Sequence, residues 1–235
     1  MQSIQVMLSS KLARRQAQEY VFQISPPIPI DPDKDYYISV KRASIPYSFY
    51  QISSQNNTLR YSIGGIEQAP LILPPGNYSV VTLVTFLNAL GSTLTFSYAG
   101  FNNKITITAA TNFILLSTSS ALALLGFTEG VDHSSVANAL ISDNVVNIIN
   151  TTSIKVNTNL IVDTRDSGNS SNTLVVVPVN RQPNAMLEGS QDFQTRLFAS
   201  SDINNIQVSL YNQDDEAIDM NGVNFEILLI ISMRD

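Results

Sequence analysis

The chain owns one imidazole, His133, and no cysteine. Any acid–base or nucleophilic scheme that needs an imidazole must run through the segment Asp132-His-Ser-Ser135. No serine lies in a nucleophile-elbow glycine pattern, so a Ser-His-Asp triad lacks a recognisable nucleophile. His133 is therefore read as an ordinary surface-loop histidine. The missing cysteines remove disulfides, thiolate metal sites and a Cys nucleophile. A histidine-based zinc site needs more imidazoles than one. Carboxylates remain. Asp163, Asp166 and Asn169 form one polar cluster, and Asp214, Asp215, Glu216 and Asp219 form another. Neither has the glycine and terminal glutamate of a calcium loop, so both read as solvated turns. Glycosidase-type paired carboxylates cannot be assigned from spacing. No phosphate loop and no dinucleotide fingerprint occurs. The expectation is a protein with no catalytic residue, no metal ligand set and no cofactor: not an enzyme.

What is left is surface for contact. Lys11, Arg14 and Arg15 form a small basic run with two readings: a solvated turn between strands, or an N-terminal arm that touches an acidic partner or nucleic acid. Tyr47, Phe49 and Tyr50 form an aromatic segment. A formal charge of −6 disfavours base stacking there, so core or interface packing is the better reading. Only 14% of the residues are charged, against about 25% in an average soluble protein. That deficit fits a surface covered by neighbours, although Asn, Ser, Thr and Gln can also keep a surface wet. The first ten residues lack the basic-then-apolar layout of a signal peptide. No apolar run is long enough for a membrane helix. Synthesis inside the cell, without secretion, is expected.

The elements that would position these residues are mostly strands. With 44% hydrophobic residues the chain can bury a sizeable core. Alternation of apolar and polar residues predicts strands over 5–9, 20–24, 35–45 and 59–63. Pro26, Pro27, Pro29 and Pro32 are expected to end the second of these. In the third, Tyr36, Ile38, Val40 and Arg42 are expected on one face, with Tyr37, Ser39 and Lys41 on the other. The period then changes: Ser79 as N-cap with Val80, Leu83, Val84 and Leu87 predicts a helix that Gly91 stops. Short strands follow over 94–98, 104–108 and 113–116, with Asn102-Asn103 as a turn, and a second short helix over 118–125. Residues 131–144 read as a loop. Further strands are expected over 145–149, 154–162, 173–179 and 193–198, with a polar loop over 163–172. Residues 206–231 read as a C-terminal hairpin turned by Asp214 to Glu216. Its last strand has Val223, Phe225, Ile227, Leu229 and Ile231 on one face. Leu228 and Ile230 make it apolar on both faces, so it should be central or covered by a partner. The chain is thus mainly β: a jelly-roll sandwich with a small inserted α+β module. The expected division is 1–70 and 131–235 for the two parts of the jelly roll, and 71–130 for the module.

Several motifs, in order, resemble a known pattern. They are Ile45-Pro-Tyr-Ser-Phe-Tyr-Gln-Ile52, Leu73-Pro-Pro-Gly-Asn-Tyr78, Phe86-Leu-Asn-Ala-Leu90, Lys104-Ile-Thr-Ile-Thr108 and Leu124-Leu-Gly-Phe127. Then come Ser153-Ile-Lys-Val-Asn-Thr-Asn-Leu-Ile-Val162, Val176-Val-Pro-Val179 and the segment from Leu210 to Phe225. This order resembles the penton, or minor capsid, proteins of virophages, Polinton-like viruses and related large double-stranded DNA viruses. The resemblance implies a structural virion protein: a jelly roll whose five copies close an icosahedral vertex, ringed by major capsid protein. It also implies a place in the virion after synthesis in the host cell, and no cofactor. Contact with the packaged genome is one of the two readings of the basic run. The module could face outward as a platform for a host receptor or fibre, or pack laterally. A receptor- or carbohydrate-binding head, fibre or lectin-like, is the rival reading. It requires an exposed aromatic groove around Tyr47 to Tyr50.

Overall fold

Eight strands dominate a computed structural model of the chain, which describes residues 2–162, 164–166, 169–199 and 201–234. They are β1 (Gln2–Ser9), β2 (Glu19–Ile28), β3 (Asp35–Pro46), β4 (Ser153–Thr158), β5 (Thr173–Pro178), β6 (Met186–Phe198), β7 (Ile203–Tyr211) and β8 (Glu226–Arg234). They pair antiparallel in two sheets, ordered β1-β8-β3-β6 and β2-β7-β4-β5. A short strand, Ile161–Val162, extends the first sheet beyond β6, and Arg14–Gln16 extends the second beyond β2. Among the eight, only β4 and β5 are both consecutive and paired. The remaining connections cross between the sheets, which makes the fold a jelly roll. The alternating inner faces bury one core, with Leu8, Ile38, Leu229 and Ile231 from one sheet and Phe22, Val156, Val177, Ile206 and Val208 from the other. At Gly189 a methyl group would sit only 2.6 Å from Val177 Cγ2, so β6 and β5 approach where one side lacks a side chain.

The chain divides into two compact units: residues 1–49 with 151–235, which hold the jelly roll, and residues 50–150. The expected module, 71–130, lies within the second. That unit has its own core, including Leu59, Leu83, Leu87, Phe96, Ile107, Phe113, Leu122 and Phe127. Helix α1 (Val80–Ala89) forms where expected. Ser79 Oγ accepts from the Thr82 N–H and Thr82 Oγ1 accepts from the Ser79 N–H, a reciprocal cap. Leu83 and Leu87 face the core. Gly91 follows the cap at φ +67°, a conformation that side chains disfavour. Thr95–Ala99, Lys104–Thr108 and Ala139–Ile141 form a three-stranded sheet. The free edge at Phe96 is closed by Asn88 of α1, whose side-chain amide accepts from the Phe96 N–H at 2.8 Å and donates to its C=O at 2.9 Å.

Several expectations need correction. The C-terminal hairpin does not form: β7 pairs with β2 and β4, while β8 lies between β1 and β3 in the other sheet. Alternation marks a buried face but not which strand lies alongside, and here the two inner faces oppose each other. β8 is central, as its two apolar faces suggest. The prolines do not end β2 at Ile24. The strand runs to Ile28, and the register against β7 slips between Ile203 and Asn205, so Pro26 and Pro27 stand in a bulge that asks no ladder bond of them. In β3 the phase breaks at Lys41, which is extra against Leu228 and Leu229; Arg42 is therefore exposed, and Ala43 and Ile45 carry on the buried face.

In the second unit, residues 118–125 make a tight turn instead of a helix. Thr58 and Arg60 take up the segment's polar groups: Ser119 Oγ and Ser120 Oγ accept their N–H groups, and Ala121 N–H donates to Thr58 O. Residues 145–149 do not form a strand. The N–H groups of Asn144 and Asn147 go to Gly126 and Leu124 in one turn, and that of Val146 goes to Asn103 in another segment, so no ladder forms. The expected loop 131–144 contains two short pairings, His133–Ser134 and Ala139–Ile141. The expected loop 163–172 contains a hairpin, Thr164–Asp166 with Asn169–Ser171. No helix among the described residues is long and apolar enough to cross a membrane.

Candidate functional site

The basic run lies in the connection from β1 to β2. Lys11 sits in a single 3-10 turn (Ser10–Leu12), and Arg14 and Arg15 sit on the edge strand Arg14–Gln16. All three are exposed. Arg15 lies 3.5 Å from Asp219, with both side chains more than half exposed, so solvent leaves the pair little net attraction. The same guanidinium stands 5.8 Å from the centre of the Tyr20 ring, which meets Phe225 edge-on at 4.8 Å. Burial pushes the Tyr20 hydroxyl's pKa up; Arg15 works against that shift and Asp219 with it. This corner is an exposed cationic lip over an aromatic floor.

The aromatic segment is split. Tyr47 and Phe49 are 5% and 3% exposed and stack at 4.5 Å inside the jelly-roll core, whereas Tyr50 belongs to the second unit and is 45% exposed. A groove with all three rings open to a ligand is not formed there. The reason is local: β3 ends at Pro46, and the next residues turn down on the core, held by Tyr47 N–H to Ala185 O and by Ser48 Oγ to Met220 O.

The acidic loop 212–219 is organised by a buried asparagine. Asn212 Oδ1 accepts from the N–H groups of Asp214 and Glu216, and its amide donates to the Glu216 carboxylate at 2.8 Å. Lys155 binds Asp215 at 2.9 Å. Of the other polar cluster, Asp163 lies outside the described residues, and the hairpin bearing Asp166 and Asn169 is described as backbone only. Among the described residues no three His, Asp or Glu side chains converge as a metal site.

His133 is not the surface-loop histidine expected. Its side chain is only 9% exposed, tilted against Phe127 with the ring centres 5.2 Å apart. Nε2 stands 2.8 Å from Thr128 O, and Nδ1 stands 3.4 Å from Asp143 Oδ2. The carbonyl can only accept, so Nε2 donates. Asp143 also accepts from the N–H and hydroxyl of Thr128. These bonds latch the turn at 127–133 to residue 143.

The Thr128 N–H bond, its hydroxyl, His133 and Lys104 together hold the Asp143 carboxyl below the usual carboxylate range. A lowered native value stabilises the latch fully above the unfolded value of about 4 and loses that contribution as pH falls through the native one. The expected result is that amide protection at Thr128 drops in that acid window. In Asp143→Asn the drop should vanish, with protection lower throughout. Hydrogen exchange across pH checks both.

Spacing could not reveal this latch, because Thr128, His133 and Asp143 match no motif. Sequence reading also missed Asp219 as the partner of Arg15, and the strongly exposed Leu12 and Phe101.

These features define a class: a double-sheeted jelly roll with a second unit inserted in the chain between β3 and β4. The fold resembles that of a viral penton protein. A crystal structure of the selenomethionine-labelled mavirus penton protein aligns over 100% of both chains with a TM-score of 0.53 at 13% identity. No family model matches the sequence, and no curated protein does.

Proposed function

We propose that this chain is a penton-like minor capsid protein, a structural component of the virion that closes icosahedral vertices as a homopentamer. The observation that carries this reading is the end-to-end likeness of its fold to the mavirus penton protein, both units included. The low charge content supports it, since a protein packed among neighbours needs uncharged contact area. In a closed ring each weak contact is made in every copy, so modest surfaces suffice. The partners in this reading are further copies of the chain and the surrounding major capsid protein, and no step of the role needs a catalytic residue.

The test is the mass of the purified chain in solution by light scattering, over a range of salt and concentration, with labelling of the chain in intact particles. Masses in multiples of five and label confined to vertices are expected. A trimer, with label on projecting fibres, would overturn the reading in favour of a receptor-binding head.

A further inference from the structure

A free sheet edge invites another strand, and a chain meant to stay single protects its edges. This chain covers several of them in part. Beyond β2 the charged strand Arg14–Gln16 covers Glu19, Tyr20 and Val21, and beyond β6 Ile161–Val162 covers Leu197 and Phe198. β5 ends on Pro178, which has no N–H, and its register against β4 slips between Val156 and Asn157. In the second unit Asn88 closes the edge at Phe96.

β1 has none of these guards. Gln2-Ser-Ile-Gln-Val-Met-Leu-Ser9 carries no charge, no proline and no glycine. It pairs with β8 in unbroken register from Gln2 opposite Met233 to Ser9 opposite Glu226. Just past it, Ser10 N–H bonds Phe225 O at 3.0 Å. Antiparallel pairs alternate, so the even-numbered residues of β1 bond β8, and Ser3, Gln5, Met7 and Ser9 turn their N–H and C=O groups to the open side. Among the described residues no strand pairs there. Ile4, on the inner face, is still 36% exposed and borders a hollow lined by Pro29, Tyr36, Ile231 and Met233 together with the charged Asp31 and Lys34.

We propose that β1 is a self-association edge, pairing antiparallel with β1 of a second copy. Charge is the first reason. A two-fold axis sets like residues against like, which penalises a charged edge; β1 has no charge to oppose. Register is the second. Opposed residues must share a face, and placing Val6 against its own copy satisfies this along the strand. Ile4 then meets Leu8 on the inner side, Gln5 meets Met7 on the outer side, and Ser3 meets Ser9. This contact is not the ring of the proposed vertex. Five copies cannot pair two by two, so β1 joins copies of different rings, or copies outside any ring.

Light scattering on the full chain, its Gln5→Pro variant and its Met7→Lys variant tests this. Gln5 N–H bonds nothing in β8, so proline there strikes the open edge. Lysine at the exposed residue 7 sets two cations near the axis. With the proposed ring the wild-type chain is expected as a decamer, and without that ring as a dimer; each variant should halve that mass. Amide exchange at Ser3, Gln5 and Met7 should be slow at high concentration and speed up on dilution in the wild type, but not in the variants. A pentamer that neither variant alters, with fast exchange at those amides, overturns the pairing and leaves the ring standing. A dimer that both variants split supports the pairing and counts against a free ring in solution. A wild-type monomer at every concentration overturns the proposal.

Discussion

Replacing Gly126 with alanine is expected to unfasten the second unit. Gly126 lies at φ +84°, and a Cβ built on it would stand 2.5 Å from Asn144 O and 2.9 Å from Val145 O. Both atoms belong to backbone, which cannot swing aside as a side-chain end can. The strap that carries them is fixed on either flank, by Asn144 N–H to Gly126 O at 2.8 Å and by Val146 N–H to Asn103 O at 2.8 Å. Strained backbone and an overpacked contact each cost about 1–3 kcal/mol, so a combined loss of about 3 kcal/mol or more is expected. Urea denaturation followed by exchange at Asn144 and Val146 would measure it. Gly91→Ala is the control: φ is also positive there, but nothing lies within 4 Å of the added carbon. It should cost about 1 kcal/mol, the conformational part without the clash. Equal losses in the two variants would remove the steric part of the argument.

The second large effect is expected where the two sheets of the jelly roll meet. Gly189→Ala would put a methyl 2.6 Å from Val177 Cγ2 and 3.3 Å from its Cβ. Val177 is fully buried, and its branched side chain has few other rotamers to take. Overpacking of this kind costs about 1–3 kcal/mol. Val177→Ala by itself leaves a cavity and destabilises by a similar amount, about 1–3 kcal/mol. The double variant is the informative one. The new methyl fills the space the valine vacates, so its loss should fall at least about 1 kcal/mol short of the sum of the two single losses. Additive losses would mean that the two positions do not share space, and the close approach of β5 and β6 would need another cause.

Sequence reading succeeded where one face of a strand meets a core and the phase never slips. Ile206, Val208 and Leu210 on β7, and Ile227, Leu229 and Ile231 on β8, are buried as their alternation requires. The cap and apolar spacing of α1 were equally plain. Failures came where a non-local bond overrode a local preference. Residues 118–125 have helical spacing, but Thr58 and Arg60 claim their polar groups. Lys41 shifts the phase of β3 because β8 lacks a residue to match it. The pairing of β7 and β8 was misread because alternation records burial and not neighbours. For the candidate site, the exposure of Lys11, Arg14 and Arg15 was legible from their charge. The burial of Tyr47 and Phe49 depended on the chain turning inward after Pro46. The latch at His133 depends on residues brought together only by the fold.

The placing of β8 between β1 and β3 bears on how the molecule comes to be. The first sheet joins residues 2–9 to residues 226–234, so its central strand is synthesised after the strands on either side of it. Until then β1 has no neighbour, and β3 lacks one of its two. Loop closure over such separations is slow compared with local pairing. Residues 50–150 face no such delay, since all their partners lie within one continuous stretch. Order should therefore arise from the middle of the chain during synthesis. The sandwich would close afterwards in one late step, with the uncharged strand β1 exposed for the whole interval.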